Sequence, residues 1–389
     1  MPNTNLRSRL RAATIILALS LVLGACQSAE SEPVIPAADT AAAAQSATTL
    51  NSGWQAVEPG GETTCSDGSA YKFFVRAGDP AKVMVYMQGG GACWFRQNCD
   101  PQMQPSYNIN IGDWAPTSTG IFNFAHPANP FADYSVVMAP YCTGDVHLGA
   151  KDTVYPPVQE GQTPLTIRHQ GRTNMQAVLD WTYRNLPNPE RIFVTGSSAG
   201  AIPSPFYASM LADHYPDARV AQLGDGAGGY RRINQDTRPD QQWGTFSFLN
   251  EQRGFENEPA QGFNYERLYI AAAKAHPNIL FAEFDNAEDR VQKQFLTLGG
   301  SQTESLLSAL QANHEDIRAE VDNFRAFIAG GEAHTVLRRP EFYTTAADGV
   351  SIRDWVARLA EFSSVEDRTC DPCAVAETIA SSTTEQTVN

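Results

Sequence analysis

The sequence V-T-G-S-S-A-G-A at residues 194–201 restricts the fold of this chain more than any other feature. Gly196, Ser198 and Gly200 match the pattern Gly-x-Ser-x-Gly, in which small residues on both sides of the serine permit a sharp turn between a buried strand and a helix. The apolar run 191–194 predicts the strand, and apolar residues at helical spacing after the turn predict the helix. Such a turn projects the serine hydroxyl into a cleft, as a nucleophile requires. A chance match in a small-residue turn is the alternative interpretation.

Apolar runs elsewhere predict that strands alternate with helices. Strands are expected at 82–87, 134–139, 191–194, 218–223, 277–282 and 324–328. Helices are expected around 175–186, after Ser198 and at about 303–321. This alternation is typical of an α/β fold with a mainly parallel sheet flanked by helices. Residues 229–263 are rich in polar and aromatic side chains, and they are either an insertion that shapes the cleft or a solvated loop.

Polar groups that follow three of these strands suggest a catalytic arrangement. The triplet Gly89-Gly90-Gly91 follows the first strand, and consecutive glycines let backbone N–H groups point at one spot, as an oxyanion hole requires. An acid, Asp285 or Asp289, follows the fifth strand, and His334 follows the last. Serine, then acid, then histidine is the chain order of α/β-hydrolases. The sequence therefore predicts an α/β-hydrolase-like fold with loop insertions.

The N-terminal 25 residues have the pattern of an export signal. Residues 1–11 carry three arginines and no acid, residues 12–23 are almost wholly apolar, and L-G-A-C ends at Cys26. This ending resembles a bacterial lipobox, which implies cleavage before Cys26 and lipidation of its thiol. An ordinary secretory signal with a chance cysteine is the alternative. Gln27 favours the outer membrane, so we expect an exported bacterial protein that is lipid-anchored at the cell envelope.

Composition divides the rest of the chain into three parts. Residues 26–50 and 376–389 consist largely of small and polar residues that cannot bury enough apolar surface to order themselves, and they are predicted to be a disordered tether and a disordered tail. Residues 51–375 are long enough for a large core and contain no low-complexity break, so we expect a single domain there.

The net charge restricts the partners of the protein. The chain carries −15, and the loss of Arg7, Arg9 and Arg11 with the signal makes the mature protein more acidic. This charge argues against nucleic acid or anionic lipid as a partner, so the membrane is reached only through the lipid anchor. No heptad pattern indicates a coiled coil, and we expect a monomer.

Seven cysteines are present, and six remain when Cys26 is set aside. An even number in an exported chain predicts three disulfides, although six cysteines allow fifteen pairings. Short spacing favours Cys93–Cys99 and Cys370–Cys373, which leaves Cys65–Cys142. A redox or metal role for Cys370-x-x-Cys373 is disfavoured because the chain has neither a second CxxC nor a thioredoxin-like context.

Two further histidines and two strand-end aspartates are also candidate site residues. His147 and His169 have no spacing that requires a metal, and they are expected to be a surface histidine and a helix-capping or core histidine. Asp145 and Asp225 each follow a strand, but an aspartate in a glycine-rich turn usually binds nearby backbone N–H groups. Both are therefore left out of the catalytic set, and no metal or cofactor is predicted.

Several separate blocks of the chain resemble the pectin acetylesterase family, which also contains the animal carboxylesterase Notum. The blocks are Cys65-x-Asp67-Gly68-Ser69, Gly89-Gly90-Gly91 with Cys93, Tyr141-Cys142-x-Gly144-Asp145, Gly196-Ser197-Ser198-Ala199-Gly200, Asp225-Gly226, Asp289-x-x-Gln292 and His334. They follow the family order over most of the predicted domain, which makes them far more specific than the serine motif alone.

The resemblance implies roles for individual residues. The family nucleophile falls on Ser198 and the family histidine on His334. The family acid is followed three positions later by Gln, which Asp289 satisfies with Gln292, whereas Asp285 has Glu288 there and is the second choice. The implied oxyanion donors are the backbone N–H groups of Gly90, Gly91 and Ala199.

The chain departs from the family pattern just after the nucleophile. Gly200 is followed by Ala201 and then by Pro203 and Pro205, where relatives usually have another glycine and no prolines. Pro205 predicts a delayed or bent helix start, because proline lacks the N–H group that an internal helical position needs. This departure affects the shape of the acyl pocket rather than the triad.

The sequence therefore predicts a serine esterase that acts by two-step acyl transfer without a cofactor. By resemblance, the substrate is an O-acetyl group on a polysaccharide such as pectin, or a longer acyl group on a protein as in Notum, and the cell-surface tether favours the acetyl ester. A catalytically silent binding module is disfavoured because serine, acid, histidine and glycine loop are all present. A redox protein built on Cys370-x-x-Cys373 would need free thiols.

Overall fold

The computed structural model describes residues 52–231, 239–260, 264–301 and 305–379. The predicted signal sequence, Cys26, the tether at 26–50 and the last ten residues of the predicted tail lie outside the described residues. The described residues belong to one compact unit. Within them, no helix is both long enough and apolar enough to cross a bilayer.

The described secondary structure alternates strands and helices along most of the chain. The strands are β1 (Gln55–Val57), β2 (Phe73–Arg76), β3 (Asp79–Met87), β4 (Tyr134–Ala139), β5 (Lys151–Tyr155), β6 (Leu165–His169), β7 (Arg191–Ser197), β8 (Arg219–Asp225), β9 (Phe281–Asn286), β10 (Phe324–Ala329), β11 (Thr345–Ala347), β12 (Val350–Ser351), β13 (Arg368–Thr369) and β14 (Glu377–Thr378). The helices are α1 (Arg96–Cys99), α2 (Gly171–Asn185), α3 (Ser204–His214), α4 (Pro239–Trp243), α5 (Glu266–Ala275), α6 (Arg290–Leu298), α7 (Leu306–Arg318) and α8 (Ile352–Ala360).

A central sheet organises the fold. Its strand order is β1-β2-β4-β3-β7-β8-β9-β10-β13. The strands from β4 to β13 in this order are parallel to their neighbours, and β1 and β2 are antiparallel at one edge. The predicted α/β class with a mainly parallel sheet is confirmed. Because parallel strands end at the same edge, the segments after β3, β7, β8, β9 and β10 meet there.

Both faces of the sheet are covered, as a parallel sheet requires. In β3, Val83 and Val85 point to the core that contains the buried sides of α2, α3 and α5. Met84 and Tyr86 alternate to the other core, which contains the buried side of α8. This strand therefore reads as a continuous apolar run instead of an apolar–polar alternation.

The observed bounds differ from the predicted ones mainly at chain turns. β9 begins at Phe281, although the strand was predicted from 277, because Ile279 donates its N–H to the His276 carbonyl in a turn that still contains Pro277. α3 begins at Ser204 with Pro203 as its N-cap, so the helix starts six residues after Ser198. This delayed start agrees with the expectation from Pro203 and Pro205.

The region between β8 and α5 packs on the body of the domain where the structure describes it. Trp243 of α4 is buried and donates its indole N–H to the Cys93 carbonyl at 2.7 Å. Leu249 and Phe255 are also buried. A fully solvated loop is therefore the wrong interpretation for 239–260.

The described cysteines form three disulfides, and their pairing is the one that short spacing favoured: Cys65–Cys142, Cys93–Cys99 and Cys370–Cys373. Such bonds are typical of proteins that mature in an oxidising compartment.

The predicted tail begins too early, because Glu377–Thr378 forms β14 and pairs with β11. Backbone pairing across the chain, which composition does not report, orders these two residues.

Candidate active site

The serine motif forms a tight turn between β7 and α3. Ser198 has a φ of 56°, a conformation that is costly for a residue with a side chain. A Cβ on Gly196 would lie 2.2 Å from the Gly200 carbonyl oxygen, and one on Gly200 would lie 2.1 Å from the Met87 carbonyl oxygen. Glycine at both positions is what lets the turn close against the end of β3. Ser198 itself is only partly buried, so its hydroxyl is accessible.

His334 and Asp289 meet at the same edge of the sheet. The Nδ1–H group of His334 donates to Asp289 Oδ2 at 2.7 Å. Asp289 is fully buried, and it caps helix α6 by accepting from the backbone N–H groups of Val291 and Gln292. The Gln292 side chain also donates to Asp289 Oδ2 at 3.1 Å. These bonds fix the carboxylate, which in turn orients the imidazole.

Asp285 occupies a different place from Asp289. Its Oδ1 atom accepts from the Gly228 N–H at 3.0 Å and from the Gln292 side chain at 2.8 Å. It forms no hydrogen bond with His334 in the described chain. The geometry therefore favours Asp289 as the acid that orients His334. Gln292, the residue that the family resemblance pointed to, donates to both acids.

The glycine loop lies directly beside the serine turn. A Cβ on Gly89 would lie 2.7 Å from the Cβ of Ser198. The Gly90 carbonyl accepts from the Asn108 N–H at 2.8 Å, which anchors the loop. Among the loop hydrogen bonds of the described residues, none has the N–H group of Gly90 or Gly91 as its donor. The glycine loop thus meets the serine turn at Gly89.

A buried carboxylate holds the histidine loop, and sequence reasoning left it out of the site. Asp225 accepts from the Val336 N–H at 2.9 Å and from the Leu337 N–H at 3.1 Å. It also accepts from the hydroxyl of Ser197, the residue before the nucleophile, at 2.5 Å. Burial raises the pKa of Asp225 to about 6. Asp225 thereby ties the loop that carries His334 to the strand that carries Ser198.

The sequence signal for Asp225 was present but ambiguous. Asp225-Gly226 lies at a strand end, a pattern that predicts local hydrogen bonds to the turn. Asp225 instead accepts from the N–H groups of Val336 and Leu337, which lie 111 and 112 positions later in the sequence. Only the pairing of β8 between β7 and β9 brings these groups together.

His147 was expected at the surface, and this expectation is wrong. His147 is 1% exposed, and its Nε2–H group donates to the Gln88 carbonyl at 2.8 Å, next to the glycine loop. Burial lowers the pKa of His147 to about 4, so the imidazole is neutral. His169 is a core histidine, one of the two expected alternatives, with Nδ1 bonded to the Thr143 carbonyl and Nε2 bonded to the Tyr155 hydroxyl.

Asp145 stabilises the turn that carries His147. It is fully buried, and it accepts from the Thr143 hydroxyl and from the N–H groups of His147 and Gly171. Burial raises the pKa of Asp145 to about 6. This is the turn-stabilising role that the sequence predicted for it, and it contributes no group to the serine site.

The arrangement contains the parts that acyl transfer requires. A strained serine at a strand-to-helix turn, a histidine held by a buried carboxylate and a glycine loop beside the serine are the parts that this chemistry uses. The Nε2 atom of His334 has no hydrogen-bond partner in the described part of the chain, so it is available to exchange a proton. Fold and site together define the class as α/β-hydrolase-like.

The chain belongs to the pectinacetylesterase family, which matches residues 46–265, more than half of the chain. The match includes the glycine loop and Ser198 and ends before Asp289 and His334. The predicted family membership is confirmed.

Curated relatives are palmitoleoyl-protein carboxylesterases. The chain is 26% identical to NOTUM of Homo sapiens over 172 residues, which cover 42% of this chain and 33% of the relative. It is 25% identical to notum1' of Xenopus laevis over 187 residues, which cover 46% of this chain and 37% of the relative. The matched region thus spans about a third of the length of these curated relatives.

Proposed function

We propose that this protein is a serine carboxylic-ester hydrolase with Ser198 as nucleophile, His334 as general base and Asp289 as the acid that orients the histidine. The observation that carries the proposal is the His334–Asp289 hydrogen bond at the sheet edge that also presents Ser198 and the glycine loop. Family membership supports the same reaction class.

The proposed reaction has two steps. As the Ser198 hydroxyl attacks the ester carbonyl, His334 Nε2 takes its proton, while Asp289 stabilises the charged imidazole through Nδ1. The backbone N–H groups of Gly90, Gly91 and Ala199 hold the developing oxyanion. The alcohol leaves with the proton from His334. His334 then takes a proton from water as it attacks the acyl-serine, and the acid leaves while Ser198 recovers that proton from His334. No step needs a metal or a redox cofactor.

The proposed substrate is a short-chain ester, an O-acetyl group on a polysaccharide such as pectin. The name of the matching family supports this choice. The second candidate is a long acyl group on a protein, and the printed names of the relatives support it. The two candidates differ in the size of the acyl pocket, so acyl chain length distinguishes them.

We also propose that the mature protein is exported, is anchored through a lipidated Cys26 at the cell envelope, acts as a monomer and does not bind nucleic acid. The L-G-A-C sequence, the three disulfides and the acidic net charge support this. The mass of the mature N-terminal peptide tests the anchor, because an unmodified Cys26 would exclude it.

A series of p-nitrophenyl esters, from acetyl to palmitoyl, tests the reaction and the acyl length together. We expect the wild type to turn over the acetyl ester fastest and Ser198→Ala to lose about 10⁴-fold or more in rate, because the nucleophile acts as a unit with the rest of the triad. Ser247→Ala is the matched control, since Ser247 is exposed and its hydroxyl binds only the Gly244 carbonyl. It should keep wild-type activity.

The outcomes separate the candidate functions. Preference for long acyl esters, with loss in Ser198→Ala, would replace the acetyl ester with the long-acyl substrate. Equal rates in wild type and Ser198→Ala at every chain length, and on acetylated pectin, would overturn the esterase and favour a silent binding module.

A further inference from the structure

A second cluster of ionisable side chains lies behind the triad acid. Glu283 and Asp285 are two residues apart on β9, so their side chains point to the same face of the sheet. His314 of α7 packs against that face, and its Nε2 atom lies 2.8 Å from Glu283 Oε2. All three residues are at most 2% exposed. One ligand-type atom from each lies within 4.8 Å of the other two.

The carboxylates in this cluster are not fully bonded. Glu283 Oε1 and Asp285 Oδ2 are buried and have no hydrogen-bond partner in the described residues. Buried polar atoms normally find partners, because each unpaired one loses its hydration without replacement. Two unpaired carboxylate oxygens in one buried cluster therefore require a neutralising partner that the described hydrogen bonds do not supply.

The two carboxylates converge beside Gly228. A Cβ on Gly228 would lie 2.4 Å from Asp285 Oδ2 and 2.7 Å from Glu283 Oε2. Both oxygens thus lie close to the same point, and glycine is needed there because a Cβ would collide with them. The Gly228 N–H group is already bonded to Asp285 Oδ1, so it does not serve as a partner for Oδ2.

Among the described side chains, only His314 brings a possible positive charge to these two carboxylates. In the part of the chain that the structure describes, His314 is the only basic side chain within ion-pair distance of Glu283, and no basic side chain lies within that distance of Asp285. A buried pair of carboxylates repels unless a cation or a proton neutralises it. Imidazole with two carboxylates is a donor set that Zn²⁺ accepts, whereas Mg²⁺ and Ca²⁺ prefer oxygen alone.

We propose that Glu283, Asp285 and His314 form a buried structural site for one divalent metal ion of the Zn²⁺ type. Tetrahedral Zn²⁺ ligands at about 2.1 Å from the metal lie roughly 3.4 Å apart, so small side-chain rotations suffice to close the set. The site is separate from the triad and supplies no group to the ester reaction. It joins β9 to α7.

The site reaches the triad acid through one side chain. The Gln292 amide donates to Asp285 Oδ1 at 2.8 Å and to Asp289 Oδ2 at 3.1 Å. A metal that holds Asp285 in place therefore also holds Gln292, and Gln292 fixes Asp289. Asp285 is therefore a positioning residue for Asp289.

Metal analysis of the full chain tests the site directly. The protein is produced in medium with added Zn²⁺, purified without chelator, desalted and measured by inductively coupled plasma mass spectrometry. We expect about one Zn²⁺ per wild-type chain, less than about 0.2 in Asp285→Asn and His314→Gln, and about one in the control Asp322→Asn, whose aspartate is exposed. His334→Ala should also keep about one, which would exclude the triad histidine as the ligand.

Two further measurements do not depend on the folding of the variants. Removal of Zn²⁺ from the wild type with a chelator should lower its thermal midpoint by roughly 5 °C or more, and added Zn²⁺ should restore it, because a ligand that binds only the folded state stabilises that state. A crystal measured at the zinc edge should show one anomalous peak between Glu283, Asp285 and His314. Metal-free wild type after growth in Zn²⁺, or Zn²⁺ content unchanged in Asp285→Asn and His314→Gln, would overturn the proposal.

Discussion

At the scale of single residues, hydrogen bonds distinguish two aspartates that sequence alone could not separate by position. Asp285 and Asp289 both follow an apolar strand and precede His334. Asp289 is hydrogen-bonded to His334 Nδ1, whereas Asp285 accepts a hydrogen bond from the Gln292 side chain. The Asp-x-x-Gln pattern marked Asp289, but the physical reason for the pattern is the bridging amide between the two acids.

Asp225 provides a prediction on pH. Its pKa of about 6 in the folded protein lies above the ordinary value of 3.8, so between these values the folded state binds more protons than the unfolded state. The free energy of unfolding that Asp225 contributes is therefore largest at low pH and falls as pH rises through 6. We expect the stability advantage of wild type over Asp225→Asn to be about 1 kcal/mol larger at pH 5 than at pH 7.

Urea unfolding of both proteins at pH 5 and pH 7 measures this advantage. The asparagine keeps the size of the side chain but does not titrate, so shifts in other groups cancel in the difference. An advantage that is equal at the two pH values, or larger at pH 7, would show that Asp225 does not keep its proton in the folded protein between pH 4 and 6.

At the scale of elements, the serine turn depends on three segments in close contact. β7 leads into the turn, Gly200 rests on the carbonyl of Met87 at the end of β3, and Gly89 faces Ser198. The glycines that define the sequence motif are thus required by neighbours, and not only by the conformation of the turn itself. This explains why a local motif could predict the turn but not the contact with the glycine loop.

Gly200→Ala tests this contact. The new methyl group would lie 2.1 Å from the Met87 carbonyl oxygen, which belongs to a central strand and cannot easily move. We expect the substitution to destabilise the protein by about 1–3 kcal/mol and to reduce esterase activity strongly, because the turn and the glycine loop must separate. Thermal unfolding and the p-nitrophenyl assay provide the readouts.

Gly53→Ala is the control for this substitution, because a Cβ there meets no atom within 4 Å. It should leave both the unfolding temperature and the activity within experimental error. If Gly200→Ala behaves like Gly53→Ala, the close approach of the turn to β3 is absent in solution.

At the scale of the whole molecule, one disulfide joins segments that are far apart in the sequence. Cys65–Cys142 spans 77 residues and joins the chain before β2 to the end of β4, whereas Cys93–Cys99 closes only a local loop. Cys370–Cys373 contacts the loop that carries His334, where the Cys373 carbonyl accepts from the Gly331 N–H at 3.0 Å. A redox role built on this pair has no support in its surroundings.

Removal of the two bonds should have unequal effects. Loop-closure entropy in the unfolded state predicts a loss of about 4 kcal/mol for the double variant Cys65→Ala with Cys142→Ala. The shorter loop predicts a loss of about 2 kcal/mol for Cys93→Ala with Cys99→Ala, which is the matched comparison. Denaturant unfolding under oxidising conditions gives both values, and a smaller loss for the long loop than for the short one would contradict this account.

The sequence by itself determined several local features of this protein: six strands of the central sheet, the helices α2, α3 and α7, the serine turn, the delayed start of α3 and the short-range disulfides. These depend on apolar period, small residues and proline within a few positions of each other, so they can be read without a fold. Membership of the family was also visible in the order of its motifs.

Only the tertiary structure decided how distant residues combine. It brought Asp225 to the backbone of Val336 and Leu337, His147 to the glycine loop, and His314 to Glu283 and Asp285. These contacts depend on which strands are neighbours, and a single sequence does not state the strand order. The physical reason is that parallel pairing places the ends of β3, β7, β8, β9 and β10 side by side, and so sets which buried charges must be satisfied together.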